Sequence, residues 1–159
     1  KLRDLGLSVF FHPVSLPGVI KHFSGSRSGV LLARGAVDAA SILALVDSPQ
    51  WSELRNLNVV IPGIAASTYW FAPYFSGLAE TLIQESRIYI DTMGFDPINT
   101  RYLFEKVGAD RLVFGSDAPI VEENPVSERL VGKLRESGLT DSQVQRRATD
   151  NARHLLKAA

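Results

Sequence analysis

The sequence predicts an α/β protein with parallel strands, built from four consecutive βα units. Three observations lead to this prediction. Short apolar runs recur along the 159 residues, each is followed by a segment of helical periodicity, and the runs are apolar throughout rather than alternating. A strand buried on both faces reads as such a continuous run, and β-α-β order implies parallel strands joined by right-handed crossovers.

Four apolar runs define the predicted strands. Each is rich in β-branched, leucine or aromatic residues and is closed by a polar residue, proline or glycine. The runs cover residues 7–11, 57–61, 87–90 and 111–114. The residues at which they close are His12, the pair Pro62-Gly63, Asp91 and Asp117.

Periodicity and capping signals define the remaining elements. The Gly/Ser/Pro-rich stretch 15–29 predicts a loop with one helical turn at 19–23. The predicted helices cover residues 30–46, 73–84, 96–107, 125–136 and 142–157. The third begins at Asp96-Pro97, an N-cap followed by proline at the first helical position, and Gly108 follows its end. The last follows Thr140, which opens a capping-box sequence.

Four βα units make half of a (β/α)8 barrel, a fold that takes about 250 residues when complete. The same order occurs in open doubly wound sheets, and periodicity alone does not separate the two. A half-barrel leaves two sheet edges open and its inner face exposed. We therefore expect residues 1–159 to be a single domain, either a fragment of a longer enzyme or one half of a paired barrel.

Composition limits the classes of function. Lys+Arg and Asp+Glu both number 17, so the net charge of zero provides no basic field for nucleic acid or an anionic membrane. The absence of cysteine excludes disulfides, thiolate metal sites and cysteine nucleophiles. No uninterrupted apolar run reaches the ~18 residues of a membrane span. We expect a cytoplasmic protein with a small-molecule partner, bound to neither nucleic acid nor membrane.

Polar residues at three strand ends are the candidate functional residues. The carboxyl ends of parallel strands carry the chemistry of α/β folds, and His12, Asp91 and Asp117 stand there. Imidazole and carboxylate are natural ligands of zinc and other divalent metals. Alternatives remain open, since His12 can be a hydrogen-bonded structural residue and either aspartate can serve a turn.

Other candidates have simpler interpretations. His22 and His154 are predicted to be surface residues. The arginines Arg34 and Arg101 can pair with a substrate carboxylate, but solvated helix positions are the simpler interpretation. The aromatic residues after the second strand suit a wall for a substrate ring, or packing over a loop or a subunit interface. They are Tyr69, Trp70, Phe71, Tyr74 and Phe75.

Four segments, in order along nearly the whole chain, resemble a known family. They are FFHP at residues 10–13, IDT at 90–92, GADRLVFGSDAP at 108–119 and NAR at 151–153. Together they resemble the C-terminal half of the amidohydrolase-related family. This branch of the metal-dependent amidohydrolase superfamily includes aminocarboxymuconate-semialdehyde decarboxylase and resorcylate decarboxylase. The third segment is the most specific.

The resemblance implies a (β/α)8 barrel with this chain as its C-terminal half, and one divalent metal, usually zinc, at the rim. It implies that His12, which ends the fifth strand, and Asp117, which ends the eighth, are metal ligands. It also implies a catalytic role for Asp117, whose carboxylate can accept a proton during the reaction. We therefore expect a metal-dependent hydrolase or decarboxylase that acts on a carboxylated ring or ring-derived acid.

Two departures from the family pattern favour an alternative. The H-x-H or E-x-H motif of the family's first strand does not occur in this chain, and Gly63 stands where the sixth strand usually ends in a histidine that polarises water or substrate. The alternative is a non-catalytic homologue that acts as a binding or interaction module, with two half-barrels pairing as a homo-oligomer. A metal-free small-molecule binder with an open sheet is a third possibility.

Overall fold

A computed structural model describes residues 5, 7–12, 17–23, 25–54, 56–74, 77–93, 96–118 and 128–157. Four parallel strands form one sheet in the order β1-β2-β3-β4. They are β1 (Val9–Phe10), β2 (Val59–Ile61), β3 (Ile88–Asp91) and β4 (Leu112–Val113). All four predicted strands are confirmed; three are shorter than their apolar runs, and β3 has the predicted length but lies one residue later.

The strand order distinguishes the two candidate folds. Each strand pairs with its neighbour in the chain, so Val59 is in register with Val9 on one side and Ile88 on the other. In a doubly wound sheet the spatial order of successive strands reverses at a switch point. In a barrel each new strand is added beside the one before it in the chain. The observed order is that of a singly wound sheet, as in part of a (β/α)8 barrel.

Helices and tight helical turns connect and follow the strands. The helices are α1 (Pro17–Ile20), α2 (Arg27–Val46), α3 (Gln50–Glu53), α4 (Thr68–Phe71), α5 (Leu78–Gln84), α6 (Pro97–Val107), α7 (Glu128–Glu136), α8 (Asp141–Gln145) and α9 (Asn151–Lys157). The 3₁₀ turns are Lys21–Phe23, Gly63–Ala65, Ala72–Tyr74 and Ala109–Arg111, and a π-helical turn, Arg146–Asp150, joins α8 to α9.

Capping residues fix the N-terminal ends of three helices, and the prediction is correct where the capping residue was recognised. Asp96 accepts hydrogen bonds from two backbone N–H groups of α6, and Thr140 forms the predicted capping box with Gln143. Helix α2 begins three residues earlier than predicted, at Arg27, because Ser26 caps it by accepting from Gly29 N at 3.1 Å.

The predicted helix over 73–84 is wrong in its first half. Helix α4 already begins at Thr68, a 3₁₀ turn follows, and α5 starts only at Leu78. The backbone of Gly77 has φ of 77°, a left-handed conformation that interrupts a helix. Phe75, Pro119 and residues 125–127 of the predicted elements lie outside the described residues.

The core fills the space between the sheet and the helices. Its fully buried side chains include Ile42, Ile61, Leu82, Ile90, Leu103 and Leu112. The opposite face of the sheet, which we expected to be exposed, is partly covered. There Val60, Tyr89 and Val113 pack with Leu155 of α9, and Ser8 Oγ donates to the Leu155 carbonyl at 3.0 Å.

Helix α2 is the one described helix that is long and apolar enough to be considered as a membrane span. By length and apolar composition alone it could cross a membrane, because its Ala/Leu-rich sequence is interrupted by few charged residues. Core helices of soluble proteins meet the same criterion, and α2 packs closely against the turn that follows β2. A β-carbon at Gly35 would lie 2.7 Å from the carbonyl oxygen of Ile64.

Candidate metal centre

A cavity of about 510 Å³ opens at the carboxyl ends of the strands. It contains all three polar strand-end residues, His12, Asp91 and Asp117, which confirms that the parallel strands bring them to one edge. The remaining lining is mostly apolar and includes Phe10, Leu31, Arg34, Pro62, Ile64, Met93, Val113, Phe114 and Gly115. The cavity therefore offers a few polar groups on an apolar wall, the usual composition of a small-molecule site.

His12 reaches the cavity from the end of β1. The backbone pairing with β2 continues past the strand, since Phe11 N donates to the Val60 carbonyl at 2.9 Å. The imidazole is exposed at the rim. Burial raises the pKa of the carboxyl group of Asp38, a residue of α2, and the His12 side chain opposes part of this rise.

Asp91 is the buried carboxylate of the cavity, with 7% of its surface exposed. Its Oδ1 accepts hydrogen bonds from Gly63 N at 2.7 Å and from Met93 N at 3.0 Å. Burial raises the pKa of the carboxyl group, and the charge of Asp117 raises it further, while the two N–H donors oppose this rise. The turn interpretation of Asp91 is confirmed, and the same carboxylate also ties β3 to the turn after β2.

Gly115 allows Asp91 to occupy this position. A β-carbon on Gly115 would lie 3.0 Å from both Cβ and Cγ of Asp91. Such a contact is shorter than side-chain atoms normally make, so a larger residue would displace the carboxylate. The glycine of the GSD sequence is therefore explained by close packing at the strand ends.

Asp117 differs from Asp91 in every one of these respects. It is exposed at the cavity, and its φ of 53° places it in the left-handed region, which aspartate tolerates better than most residues. Among the described residues, none donates a hydrogen bond to its carboxylate. The adjacent turn is instead closed by Ser116, whose Oγ accepts from Ala118 N at 3.2 Å.

Two other residues of the recognised segments hold β4 in place. Arg111 is buried, and its guanidinium donates to the backbone carbonyls of Val107, Leu82, Ile83 and Glu85. Asn151 Nδ2 donates to the carbonyls of Ala109 and Leu112, at 2.8 and 2.7 Å. These contacts satisfy backbone groups beside β4, the strand that leads to Asp117.

Gly63 brings no side chain to the cavity. It is buried, and its N–H is directed at Asp91. The neighbouring Ile64 lines the wall. A polar group that could move a proton is therefore missing from the end of β2.

The structure separates the two arginines considered as carboxylate partners. Arg34 lines the cavity. Arg101 lies exposed on α6 and pairs with Glu105 at 2.9 Å, which confirms its interpretation as a solvated helix residue. His22 and His154 are both exposed and outside the cavity, as predicted.

The four described residues of the aromatic cluster after β2 do not line this cavity. Tyr69 is buried in the core, and Trp70 meets Tyr102 edge-on at 5.9 Å between ring centroids. Phe71 and Tyr74 are exposed and line a separate, almost entirely apolar groove of about 780 Å³ beside α2. That groove includes none of the polar strand-end residues.

The donors present fit part of a metal site. An exposed imidazole and an exposed carboxylate at one rim are the donor types that zinc and manganese accept. Within the part of the chain that the structure describes, no group of three His, Cys, Asp or Glu side chains is placed to hold a metal. His12 and Asp117 would thus supply two ligands, whereas a catalytic zinc site uses three from the protein.

Asp38 is the polar residue of this region that sequence reasoning missed. It belongs to α2, it is 5% exposed, and none of the described residues donates a hydrogen bond to its Oδ2. The available signal was a single carboxylate on the apolar face of a helix that is otherwise rich in alanine and leucine.

Comparisons with solved structures identify the same fold. 5-Carboxyvanillate decarboxylase from Sphingomonas paucimobilis is 18% identical with a TM-score of 0.76, over 98% of this chain and 50% of that one. Dihydroxybenzoic acid decarboxylase from Polaromonas sp., solved with manganese and the inhibitor 2-nitroresorcinol, is 15% identical with a TM-score of 0.74, over 98% and 51%. 2,6-Dihydroxybenzoate decarboxylase from Rhizobium is 18% identical with a TM-score of 0.72, over 98% and 53%.

These matches cover nearly all of this chain and about half the length of each structure. The fold is accordingly that of four βα units forming the C-terminal half of a (β/α)8 barrel. A comparison with curated protein sequences gives no match. The sequence profile described as amidohydrolase matches residues 1–158. The chain therefore belongs to the amidohydrolase family.

Proposed function

We propose that the strand-end cavity is the site of a metal-dependent enzyme, with His12 and Asp117 as ligands of one divalent metal, zinc first among the candidates. The reaction is decarboxylation or hydrolysis of a carboxylated aromatic ring or a ring-derived acid. One observation supports the proposal: an imidazole that follows the first strand of the sheet and a carboxylate that follows the last strand line the same cavity.

The roles of the residues follow from their surroundings. A divalent metal would supply Lewis acidity toward a substrate oxygen and a fixed orientation for a carboxylate. Asp117 is exposed, and its carboxylate is available both to bind a cation and to accept a proton. Asp91 is held by two backbone N–H groups, and we assign it to maintaining the cavity wall.

The lining supports the proposed class of substrate. Phe10, Ile64 and Phe114 provide apolar surface for a ring. Three enzymes of similar fold are decarboxylases of 5-carboxyvanillate, dihydroxybenzoic acid and 2,6-dihydroxybenzoate. All three substrates are carboxylated aromatic rings, which is why we place this chain's substrate in the same class.

The ligand count has a consequence for the whole enzyme. Because two ligands do not complete a catalytic site, we assign the remaining ligands to further βα units that complete the barrel. Residues 1–159 would then form one half of the barrel of a metal-dependent hydrolase or decarboxylase. Both halves of the barrel would contribute metal ligands at its rim.

Gly63 supports a second candidate function. The end of β2 lacks the histidine that the family resemblance leads us to expect, and the Gly63 N–H is used by Asp91 instead. A protein without this group would bind a carboxylated ring in the cavity and leave it unchanged. This candidate is a binding or interaction module.

An activity assay separates the two. The full-length protein, loaded with zinc or manganese, is incubated with dihydroxybenzoates while CO₂ release is measured. We expect turnover that falls at least about 100-fold in Asp117→Asn, a substitution that keeps the size of the side chain and removes its charge. Asp110→Asn, at an exposed carboxylate outside the cavity, is the control. Ligand binding without turnover in the metal-loaded protein would favour the binding module.

A further inference from the structure

The exposed aromatic residues after β2 have no role in the strand-end cavity. Phe71 and Tyr74 expose 54% and 83% of their surfaces, and Leu32 of α2 exposes 73%. All three line the apolar groove beside α2. Large apolar side chains that are scattered singly over a surface are ordinary, but a continuous apolar surface marks a ligand-binding groove or an interaction site. The groove therefore calls for an occupant.

The apolar groove and the strand-end cavity are neighbours. Leu31 and Ile64 line both of them. Leu31 is exposed and Ile64 is half-buried, so a ligand that extends over these two side chains would reach from one cavity into the other. The groove follows α2 from Leu31 to Leu43, a length of about 18 Å at the rise of an α-helix. It thus forms an elongated extension of the candidate site.

The two cavities differ in chemistry. The strand-end cavity contains imidazole and carboxylate groups, whereas no charged side chain of the described residues lines the groove. The polar side chains of the groove are the hydroxyl-bearing Ser67 and Tyr74. This surface offers little to an anion or a peptide backbone, whose polar groups need partners once water is excluded. It suits a hydrocarbon chain, and its volume of about 780 Å³ lies in the range of small-molecule sites.

We propose that the apolar groove binds an apolar substituent of the substrate, which is then a carboxylated ring that carries an alkyl chain. The ring and its carboxylate occupy the strand-end cavity, and the chain passes over Leu31 and Ile64 into the groove along α2. The inference rests on the proposed function, because it assumes that the strand-end cavity takes the carboxylated ring.

Two other occupants would also cover the groove: a second copy of the chain, and the βα units that complete the barrel. The shared lining favours the substrate. A protein surface that only covered the groove would not require Leu31 and Ile64 to lie between the groove and the cavity that holds the candidate ligands.

The test measures how the full-length, zinc-loaded protein binds a series of acids. The probes are 2,6-dihydroxybenzoate and its derivatives with a straight chain of three, five or seven carbons at ring position 3 or 4. Dissociation constants come from the rapid binding phase in stopped-flow fluorescence, which precedes turnover. Because the groove is open to solvent, we expect each CH₂ to lower the Kd about twofold, less than full burial would give. The seven-carbon chain should then bind about 100-fold more tightly than the parent acid, at one ring position at least.

Variants decide whether the chain lies in the groove. Leu32→Glu and Ala40→Glu each place a carboxylate among its lining at an exposed position of α2. Leu156→Glu is the matched control, because Leu156 is 78% exposed on α9 and lines neither cavity. The ratio of the two Kd values should fall below about 10 in both groove variants and stay at about 100 in the control.

A Kd that does not change with chain length at either ring position would overturn the inference and leave the proposed function standing. The same holds for a gain that persists in both groove variants. If neither the parent acid nor any derivative binds, the proposed function fails and the inference fails with it.

The other occupants have their own signatures. A dimer that dissociates in Leu32→Glu, measured by sedimentation equilibrium, would assign the groove to a second copy of the chain. Lower stability to urea in both groove variants, with Leu156→Glu unchanged, would assign it to the rest of the barrel. Either result would overturn the proposal.

Discussion

Asp91 ends β3, Asp117 lies beyond the end of the neighbouring β4, and both line one cavity, yet they are placed in opposite environments. Asp91 is buried, accepts two backbone hydrogen bonds and packs against Gly115. Asp117 is exposed, has a left-handed backbone conformation, and receives no hydrogen bond from the described residues. Two carboxylates at equivalent strand ends therefore have different uses.

The difference follows from what the neighbouring backbone supplies. Two N–H groups already occupy Oδ1 of Asp91, and burial disfavours its charged form. A carboxylate in that condition stabilises the fold and is a poor candidate for binding a cation. None of the described residues donates a hydrogen bond to Asp117, so it is the better candidate for a ligand and for a proton acceptor.

The largest expected effect concerns stability. Asp91→Ala leaves the N–H groups of Gly63 and Met93 without their acceptor in a buried site, and we expect a loss of about 1–3 kcal/mol in the free energy of unfolding. Asp117→Asn removes no hydrogen bond seen in the described structure, and we expect a change within about 0.5 kcal/mol. Urea denaturation of both variants measures the difference.

Equal losses in the two variants would contradict the contrast between a structural and a free carboxylate. Asp91→Asn is the matched control for shape, because its amide oxygen can still accept from both N–H groups. It should retain most of the stability that Asp91→Ala loses.

A smaller effect appears in the pH dependence of stability. Burial raises the pKa of Asp91 in the folded state above its unfolded value of about 3.9. The folded state then binds more protons than the unfolded state between these two pKa values, so stability falls as pH rises through this window. Relative to Asp91→Asn, the wild type should lose stability as pH rises from about 4, and the difference should level off above the folded-state pKa.

Unfolding free energies of both proteins at a series of pH values between 3 and 8 provide the measurement. A wild type that gains stability over Asp91→Asn with rising pH would mean that the two N–H donors outweigh burial. The charged form of Asp91 would then be favoured in the folded protein, and burial would no longer distinguish Asp91 from Asp117 as a candidate for binding a cation.

Sequence reasoning predicted which residues meet at the cavity but did not separate their roles. Parallel strands end at one edge, so the convergence of His12, Asp91 and Asp117 follows from four apolar runs. The roles depend on neighbours from other parts of the chain. The Gly63 N–H comes from the end of another strand, and the space that admits Asp91 exists because residue 115 has no side chain.

Local signals likewise predicted some elements better than others. The capping residues Asp96 and Thr140 specify their helices through contacts within three residues, and both were predicted correctly. The interruption at Gly77 depends on a backbone angle that glycine allows and does not require.

Metal content tests the central claim most directly. The full-length protein is purified with zinc and dialysed, and bound metal is determined by elemental analysis for the wild type, His12→Ala, Asp117→Asn and Asp91→Asn. We predict about one equivalent in the wild type and in Asp91→Asn, and little or none in His12→Ala and Asp117→Asn. A folded wild type without metal, or an Asp117→Asn protein that retains a full equivalent, would contradict the assignment of His12 and Asp117 as ligands.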